Sequence, residues 1–245
     1  MSSVQRAVQI LELLARADEP MRLTAIAREL GIPKSTTHSI LCELTDSLAV
    51  VADAGGYSVG LKAFEIGSSF LRSTGSVARI TPEMSRLTRV LNVVSHYAIL
   101  DGADVVYLCK EDPGGLGIRL ASSIGARLPA YLTAVGKSCL AWLPADDLPA
   151  HMPPSDGGAG RVATNPAALA AELESVRALG YSTDDGATAA GIQCVAAPVF
   201  DHLGPHGALG VSYLMASDHS IDVVAQEVLR SAEQATLTLG GKRPA

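Results

Sequence analysis

The stretch GIPKSTTHSILCEL, residues 31–44, decides the fold of the first part of the chain. A Gly-Ile-Pro turn precedes a run of short polar residues, and an apolar rhythm then resumes at Ile40, Leu41 and Leu44. Pro33 suits the first turn of a helix, where its missing N–H is no loss. The stretch therefore predicts a helix with an apolar inner face and a polar, exposed start.

The neighbouring residues supply the rest of a small helical domain. Residues 4–14 carry apolar side chains at helical spacing, Thr24 is a good N-cap for a short second helix, and Gly31 ends that helix. Two β-prone runs within 48–60 surround Ala-Gly-Gly and predict a hairpin. The order helix, helix, tight turn, helix, hairpin is typical of a winged helix-turn-helix. Residues 61–74 then predict a linking helix.

The remainder of the chain predicts an α+β domain with an antiparallel sheet. Small and polar residues at 73–76 and Pro82 mark a boundary before it. Strand pairs flanked by helices follow, which is the pattern of an antiparallel sheet with helices packed on it. The expected helices are 82–92, 133–143, 166–180 and 219–240; the expected strands are 95–100, 105–110, 117–124, 194–200 and 207–214; a surface loop is expected at 153–160.

Composition and charge exclude several classes of protein. Apolar residues make up 48% and charged residues 18% of the 245, so a packed core is expected, and no apolar run is long enough for a membrane span. The net charge of −6, and seven basic against eight acidic residues in 1–72, argue against a generally polyanion-binding surface but are compatible with a small local DNA contact. The start of the chain lacks a secretory signal, so we expect a cytoplasmic protein without a membrane partner.

No motif predicts catalysis or metal binding. Residues 132–140, LTAVGKSCL, resemble a phosphate-binding loop, but Tyr131 stands where that loop needs Gly. The four cysteines are far apart and have no histidine at ligand spacing. His96 and Cys194 in strands are expected to be packed core residues, and Asp184 and Asp185 to lie in a solvated loop. We expect no catalytic residue, no metal and no cofactor.

The start of the helix after Pro33 is the candidate DNA contact. Short hydroxyls and one lysine there suit hydrogen bonds to phosphate oxygens and base edges, helped by the helix N-terminus. A solvent-exposed capping turn is the alternative, and the helix pair before it and the wing after it favour DNA. The candidate DNA-binding residues are Lys34, Ser35, Thr36, Thr37, His38 and Ser39.

At this point the chain resembles the IclR family of bacterial transcriptional regulators. The similarity is carried by SVQRAVQILELL (3–14), LTAIARELGIPKSTTHSILCEL (23–44), YSVGLKAFEIG (57–67), GARLPAYLTAVGKSCLA (125–141), GYSTDDGATAAGIQCVAAPVFDHLG (180–204) and GALGVSYL (207–214). The resemblance implies a winged helix-turn-helix DNA-binding domain at 1–60, a linker helix at 61–78 and a GAF-like effector-binding domain at 79–245. It also implies homodimers, or dimers of dimers, on double-stranded operator DNA.

The resemblance also implies where a small-molecule effector binds. Its polar contacts would fall on Asp184, Cys194 and Ser212, next to the helix start at 134–136, whose N–H groups could face an anion. Lid and floor residues would be Gly125, Leu128, Ala130 and Gly210.

Three positions depart from the family pattern. Ser39 replaces a common Arg, Gly210 replaces a polar residue, and residues 186–188 lack a usual Glu. Because Gly210 would widen the floor, we expect a small carboxylate with an apolar or aromatic body.

Two other functions stay open at this stage. One is a GAF-like thiol enzyme that uses Cys194 or Cys109 as its nucleophile, although neither has an obvious activating partner in the sequence. The other is an architectural DNA binder without an effector, which the large second domain disfavours. The prediction is a DNA-binding regulator whose operator binding a small metabolite controls.

Overall fold

The computed structural model describes residues 1–114, 122–152 and 166–244. Two compact units divide the chain, Met1–Thr74 and Gly75–Ala245. The expected loop at 153–160 and most of the expected strand at 117–124 lie outside the described residues, and residues 122–124 belong to no strand. No helix within the described ranges is long and apolar enough to cross a lipid bilayer.

The first unit has the predicted order of elements. Its helices and strands are α1 Ser3–Arg16, α2 Leu23–Leu30, α3 Lys34–Asp46, β1 Val50–Ala52, β2 Tyr57–Val59 and α4 Leu61–Thr74. β1 and β2 form an antiparallel hairpin, with Val50 opposite Val59. Ile10 of α1, Ile26 of α2 and Leu41 of α3 are fully buried and form its small core. The unit is a winged helix-turn-helix.

Local signals fix the ends of its helices, with two differences from the sequence prediction. Ser2 and Gln5 form a reciprocal capping box at the start of α1. Gly31 ends α2 with φ of 62°, in the left-handed region that glycine adopts without strain. Thr24 lies inside α2 and is not its N-cap, since the helix begins one residue earlier and the cap position is Arg22, which makes no side-chain capping bond. Pro33 is the residue before α3 rather than part of its first turn.

The second unit is built on one six-stranded antiparallel sheet. Along the chain it contains α5 Ser76–Leu91, β3 Val94–Asp101, β4 Asp104–Glu111, β5 Arg127–Pro129, α6 Ala134–Leu140, a 3-10 turn at Leu148–His151, α7 Pro166–Leu179, β6 Ser182–Asp185, β7 Ile192–Asp201, β8 Gly204–Leu214 and α8 Ile221–Thr238. The strand order is β5-β4-β3-β8-β7-β6. α5 and α8 pack together against the sheet, and α6 packs against β3, β7 and β8.

Helix α5 begins six residues before Pro82, so that proline does not mark a boundary as expected. Pro82 lies inside the helix. A proline there removes one backbone hydrogen bond, but the helix continues because Ile80, Met84 and Leu87 are fully buried on its inner face. The domain limit expected between residues 78 and 79 therefore falls within α5.

An ion-pair network ties α5 to α8. Arg86 of α5 donates to Glu227 of α8 at 2.6 Å and to Glu83 at 3.2 Å. It also donates to Ser231 of α8 at 2.7 Å. All three charged side chains are at most one quarter exposed, so the network is poorly screened by solvent and fixes the two helices against each other.

The sequence missed both edge strands of the sheet. β5 and β6 are only three and four residues long and β6 is wholly polar, so neither shows an alternating apolar pattern. Asp184 and Asp185 belong to β6 and not to a loop. Within α7, Leu169, Leu173 and Val176 are buried, whereas Leu179, the last helical residue, is 58% exposed.

Candidate DNA-binding surface and effector site

The start of α3 presents the candidate DNA-binding side chains to solvent. Lys34, Ser35, His38 and Ser39 are exposed and Thr36 is half-buried. Ile40 and Leu41, one position on, are buried against α1 and α2. The helix therefore has an inner apolar face and an outer polar face that begins at its N-terminal turn, which is the geometry of a helix that enters a major groove.

Thr37 does not belong to this surface. It is fully buried, and its hydroxyl donates to the Pro33 carbonyl at 3.1 Å. Positions 37, 40, 41 and 44 have the spacing of one helical face, so the side chain of Thr37 points inward. Its inclusion among the candidate DNA contacts was wrong.

Three of the predicted effector contacts form one polar row across the sheet. Asp184 of β6 is opposite Cys194 of β7, and Cys194 is opposite Ser212 of β8. Residues directly opposite in antiparallel strands share a face, so the three side chains are neighbours. The Cys194 thiol lies 3.1 Å from the Ser212 hydroxyl. All three side chains are at least nine-tenths buried.

Asp184 is buried because local donors satisfy its carboxyl group. The Ala187 N–H donates to Oδ1 at 2.8 Å, and the Thr188 hydroxyl donates to Oδ2. The turn at residues 186–188, which follows β6, thus folds back over its own aspartate. A buried carboxylate with such partners holds a fixed position at one end of the row.

Helix α6 covers the same face of the sheet. The Ser138 hydroxyl donates to the Ala196 carbonyl at 2.9 Å, and the Ser182 hydroxyl donates to the Ala134 carbonyl at 2.5 Å. The N-terminal N–H groups of α6 are not all free for an anion, because the Gly136 N–H donates to the Thr133 hydroxyl at 3.0 Å. That part of the expected anion site is therefore already capped by the chain itself.

Gly210 is needed for this packing and does not widen the floor. A Cβ at position 210 would lie 2.9 Å from Cγ1 of Val135 and 3.1 Å from Cβ of Ala196. The space that a larger residue would fill is therefore occupied by α6. The expectation that Gly210 opens the pocket is corrected by this contact.

The predicted lid residues surround β5. Gly125, with φ of 83°, is exposed just before the strand, and Leu128 is half-buried within it, opposite Val105. Ala130, just after the strand, is fully buried. Leu128 and Ala130 pack in the same apolar cluster as Val135 and Cys194, so this segment and α6 share one part of the core.

Two polar aromatic residues on this face were missed as candidates. His96 of β3 is opposite Gly210 of β8 and is 2% exposed. Tyr107 of β4 meets it edge-on, with ring centroids 5.3 Å apart. Burial raises the pKa of the Tyr107 hydroxyl, with smaller contributions from Cys194 and Asp184, so the phenol keeps its proton near the polar row. The signal for His96 that was available in the sequence was strand alternation, which places residues 96 and 98 on one face of β3.

Comparison with known proteins gives the family. The sequence profile "IclR helix-turn-helix domain" matches residues 3–53, and "Bacterial transcriptional regulator IclR C-terminal" matches residues 69–236. The Transcriptional repressor IclR of Escherichia coli is 30% identical over 249 residues, covering 98% of this chain and 91% of that protein. The chain belongs to the IclR family.

Solved structures agree with this assignment. The IclR protein of Thermotoga maritima is 26% identical and superposes with a TM-score of 0.76, covering 97% of this chain and 98% of that one. An IclR homologue of Microbacterium hydrocarbonoxydans, solved in complex with 4-hydroxybenzoate, is 21% identical with a TM-score of 0.82, covering 97% and 99%. The matching domains and the curated relatives make this IclR-family chain a DNA-binding transcriptional regulator and not an enzyme.

The thiols of this IclR-family regulator fit that conclusion. Burial raises the pKa of Cys194 to about 12, and the Ser212 hydroxyl opposes this only in part. Burial also raises the pKa of Cys109. Both thiols are therefore protonated at neutral pH, and a protonated thiol is a poor nucleophile. Among the residues that the structure describes, no group of histidine, cysteine and acidic side chains could hold a metal ion.

Proposed function

We propose that the outer face of α3 reads operator DNA through Lys34, Ser35, Thr36, His38 and Ser39. The observation that carries this proposal is the division of α3 into a buried face and an exposed polar start. Because the unit carries seven basic and eight acidic residues and so has no net positive charge, we expect weak non-specific binding and a shallow dependence of operator affinity on salt.

Gel shifts with DNA from the region upstream of the protein's own gene test this proposal. The triple substitution of Lys34, Ser35 and His38 by Ala should weaken binding by about 1–3 kcal/mol for each side chain that bonds to a base edge. Glu43→Ala is the matched control, since Glu43 is exposed in the second half of the same helix. Equal operator affinity of the triple variant and the control would refute this placement.

We infer further that the protein is a homodimer, or a dimer of dimers, paired through α1 and α4. Within its unit α4 buries no residue, and Leu61, Phe64 and Ile66 are 63–70% exposed. Val4 and Val8 of α1 are also exposed. Exposed large apolar side chains in this number are typical of a protein interface. A short amphipathic helix also gains most of its stability from such packing.

Sedimentation of charged variants tests this assembly. Leu61→Glu and Phe64→Glu should each place a charge in the interface and give monomers. Ser69→Glu adds the same charge to α4 at another exposed position and is the control. Dimers that persist in both apolar-site variants would show that the chains pair elsewhere.

We propose that the effector is a small carboxylate with an apolar or aromatic body, held over the row Asp184, Cys194 and Ser212. Leu128 of β5 and Val135 of α6 belong to the same apolar cluster as Cys194, and the hydroxyl and thiol of the row offer donors to an anion. Several curated relatives are named repressors, and we propose that this cytoplasmic protein represses its operator until the effector binds.

Calorimetry on the full chain tests the site. Affinity for an aliphatic or aromatic acid should disappear when Asp184, Cys194 and Ser212 are all replaced by Ala. Ser175→Ala, on the exposed side of α7, is the control. Unchanged affinity in the triple variant would place the effector elsewhere.

A further inference from the structure

His96 lies on the effector face of the sheet, one row away from the polar row. It is opposite Gly210, and Gly210 is two residues before Ser212 on the same strand. A Cβ at position 210 would lie 3.0 Å from Nε2 of His96. The imidazole therefore lies across the backbone of Gly210, in space that a side chain there would otherwise occupy.

The other ring nitrogen of His96 lacks a hydrogen-bond partner. Nδ1 is buried and contacts no donor or acceptor among the residues that the structure describes. Buried polar atoms in folded proteins are nearly always paired, because an unpaired one loses its bonds to water without replacement. A ligand bound on this face would supply the missing partner.

The charge state of His96 narrows the chemistry of that partner. Burial lowers the pKa of the ring to about 3, and the charge of Lys110 on the adjacent strand contributes less. The ring is therefore neutral at physiological pH, with one nitrogen as donor and the other as acceptor. Tyr107, edge-on to the ring, is neutral as well, because its phenol keeps its proton. A neutral donor or acceptor suits a hydroxyl or carbonyl oxygen without adding charge to the site.

The distance between the polar row and the row formed by His96 and Gly210 sets the length of the ligand. Positions 210 and 212 are two residues apart on one strand, so the rows are about 7 Å apart, twice the rise per strand residue. A very small hydroxy acid or keto acid has its two polar groups too close together to reach both rows. An aromatic acid with a hydroxyl para to the carboxylate has them at about this separation.

We propose that His96 is a specificity-determining residue that hydrogen-bonds a second polar oxygen on the effector, at the end remote from its carboxylate. The inference rests on the proposed effector site and adds to it the length and the second functional group of the ligand. The preferred class is a carboxylate whose apolar body carries a distal hydroxyl or carbonyl group.

Calorimetry with three matched acids tests the inference: benzoate, 2-hydroxybenzoate and 4-hydroxybenzoate. Full-length wild type should bind the 4-hydroxy acid about tenfold more tightly than the other two, the value of one good neutral hydrogen bond. His96→Leu should remove that preference and keep the affinity for benzoate, which also shows that the variant is folded. His96→Asn, which keeps a polar nitrogen near the position of Nδ1, should restore part of it.

The outcomes separate the inference from the proposed function. A tenfold preference that persists in His96→Leu, or an equal loss for all three acids, overturns the role of His96 while the effector site stands. A wild-type protein that binds these acids without preference also overturns the role of His96 and leaves the effector site standing. Wild type that binds none of the three overturns the proposed ligand class and the inference together. Binding that survives in the Asp184, Cys194 and Ser212 triple variant overturns the site itself.

Discussion

Lowering the pH from about 7 to about 5 should destabilise the second unit through His96. The pKa of this buried ring is about 3 in the folded protein, against about 6.5 in an unfolded chain. Between these two values the unfolded state binds a proton that the folded state does not, so the free energy of unfolding falls as the pH falls. The two pKa values give a loss of about 2 kcal/mol over this interval, most of it below about pH 6.

Urea denaturation at the two pH values measures this loss. Trp142, the one tryptophan of the chain, lies in the second unit and packs edge-on to Phe200, so its fluorescence reports unfolding there. His96→Leu has no ring to titrate and should lose about 2 kcal/mol less than wild type between the two pH values. His202→Asn, at the exposed turn between β7 and β8, is the control and should behave as wild type.

An equal loss in wild type and in His96→Leu would refute the reasoning. It would mean that the folded protein stabilises the protonated ring, either by admitting water to it or by offering it an acceptor. The sign is also informative, because wild type that gains stability relative to the variant at low pH would require a raised pKa instead of a lowered one.

Three further substitutions test other parts of the structure. Thr37→Val should cost about 0.5–1.5 kcal/mol of stability by circular dichroism in urea, yet leave operator affinity unchanged, because the buried hydroxyl bonds only to the chain. Gly210→Ala should cost about 1–3 kcal/mol by Trp142 fluorescence, since its Cβ would press on Val135; a neutral or stabilising result would contradict that packing. Arg86→Met should cost about 2 kcal/mol by the same assay, because it leaves two partly buried carboxylates without a cation.

Elements with a strong local pattern could be predicted from the sequence. The apolar stripes of α1, α3 and α8 follow the helical period, and the turn at Asp101 and Gly102 joins β3 to β4 as expected. Family resemblance predicted Asp184, Cys194 and Ser212 as effector contacts, and the register of β6, β7 and β8 brings these three side chains together. These predictions depend on spacing within one element or on motif position.

The misses depend on contacts between elements. β6 is a strand only because β7 offers a partner, and its polar sequence carries no alternation of its own. The burial of Asp184 depends on Thr188 and the turn after β6, which no local pattern shows. The structural role of Gly210 depends on how closely Val135 of α6 approaches its backbone. Thr37 is different, because its spacing to Ile40 and Leu41 already indicated an inward side chain.

The alignment of Asp184, Cys194 and Ser212 in one register has an evolutionary consequence. Each comes from a different strand, so one substitution can alter one side chain of the proposed effector site while the other two and the backbone stay in place. A one-residue insertion in β7 would instead turn Cys194 and every following side chain of that strand to the opposite face. In the proposed site, ligand preference can therefore change by point mutation one side chain at a time, whereas a change of strand length rearranges a whole face.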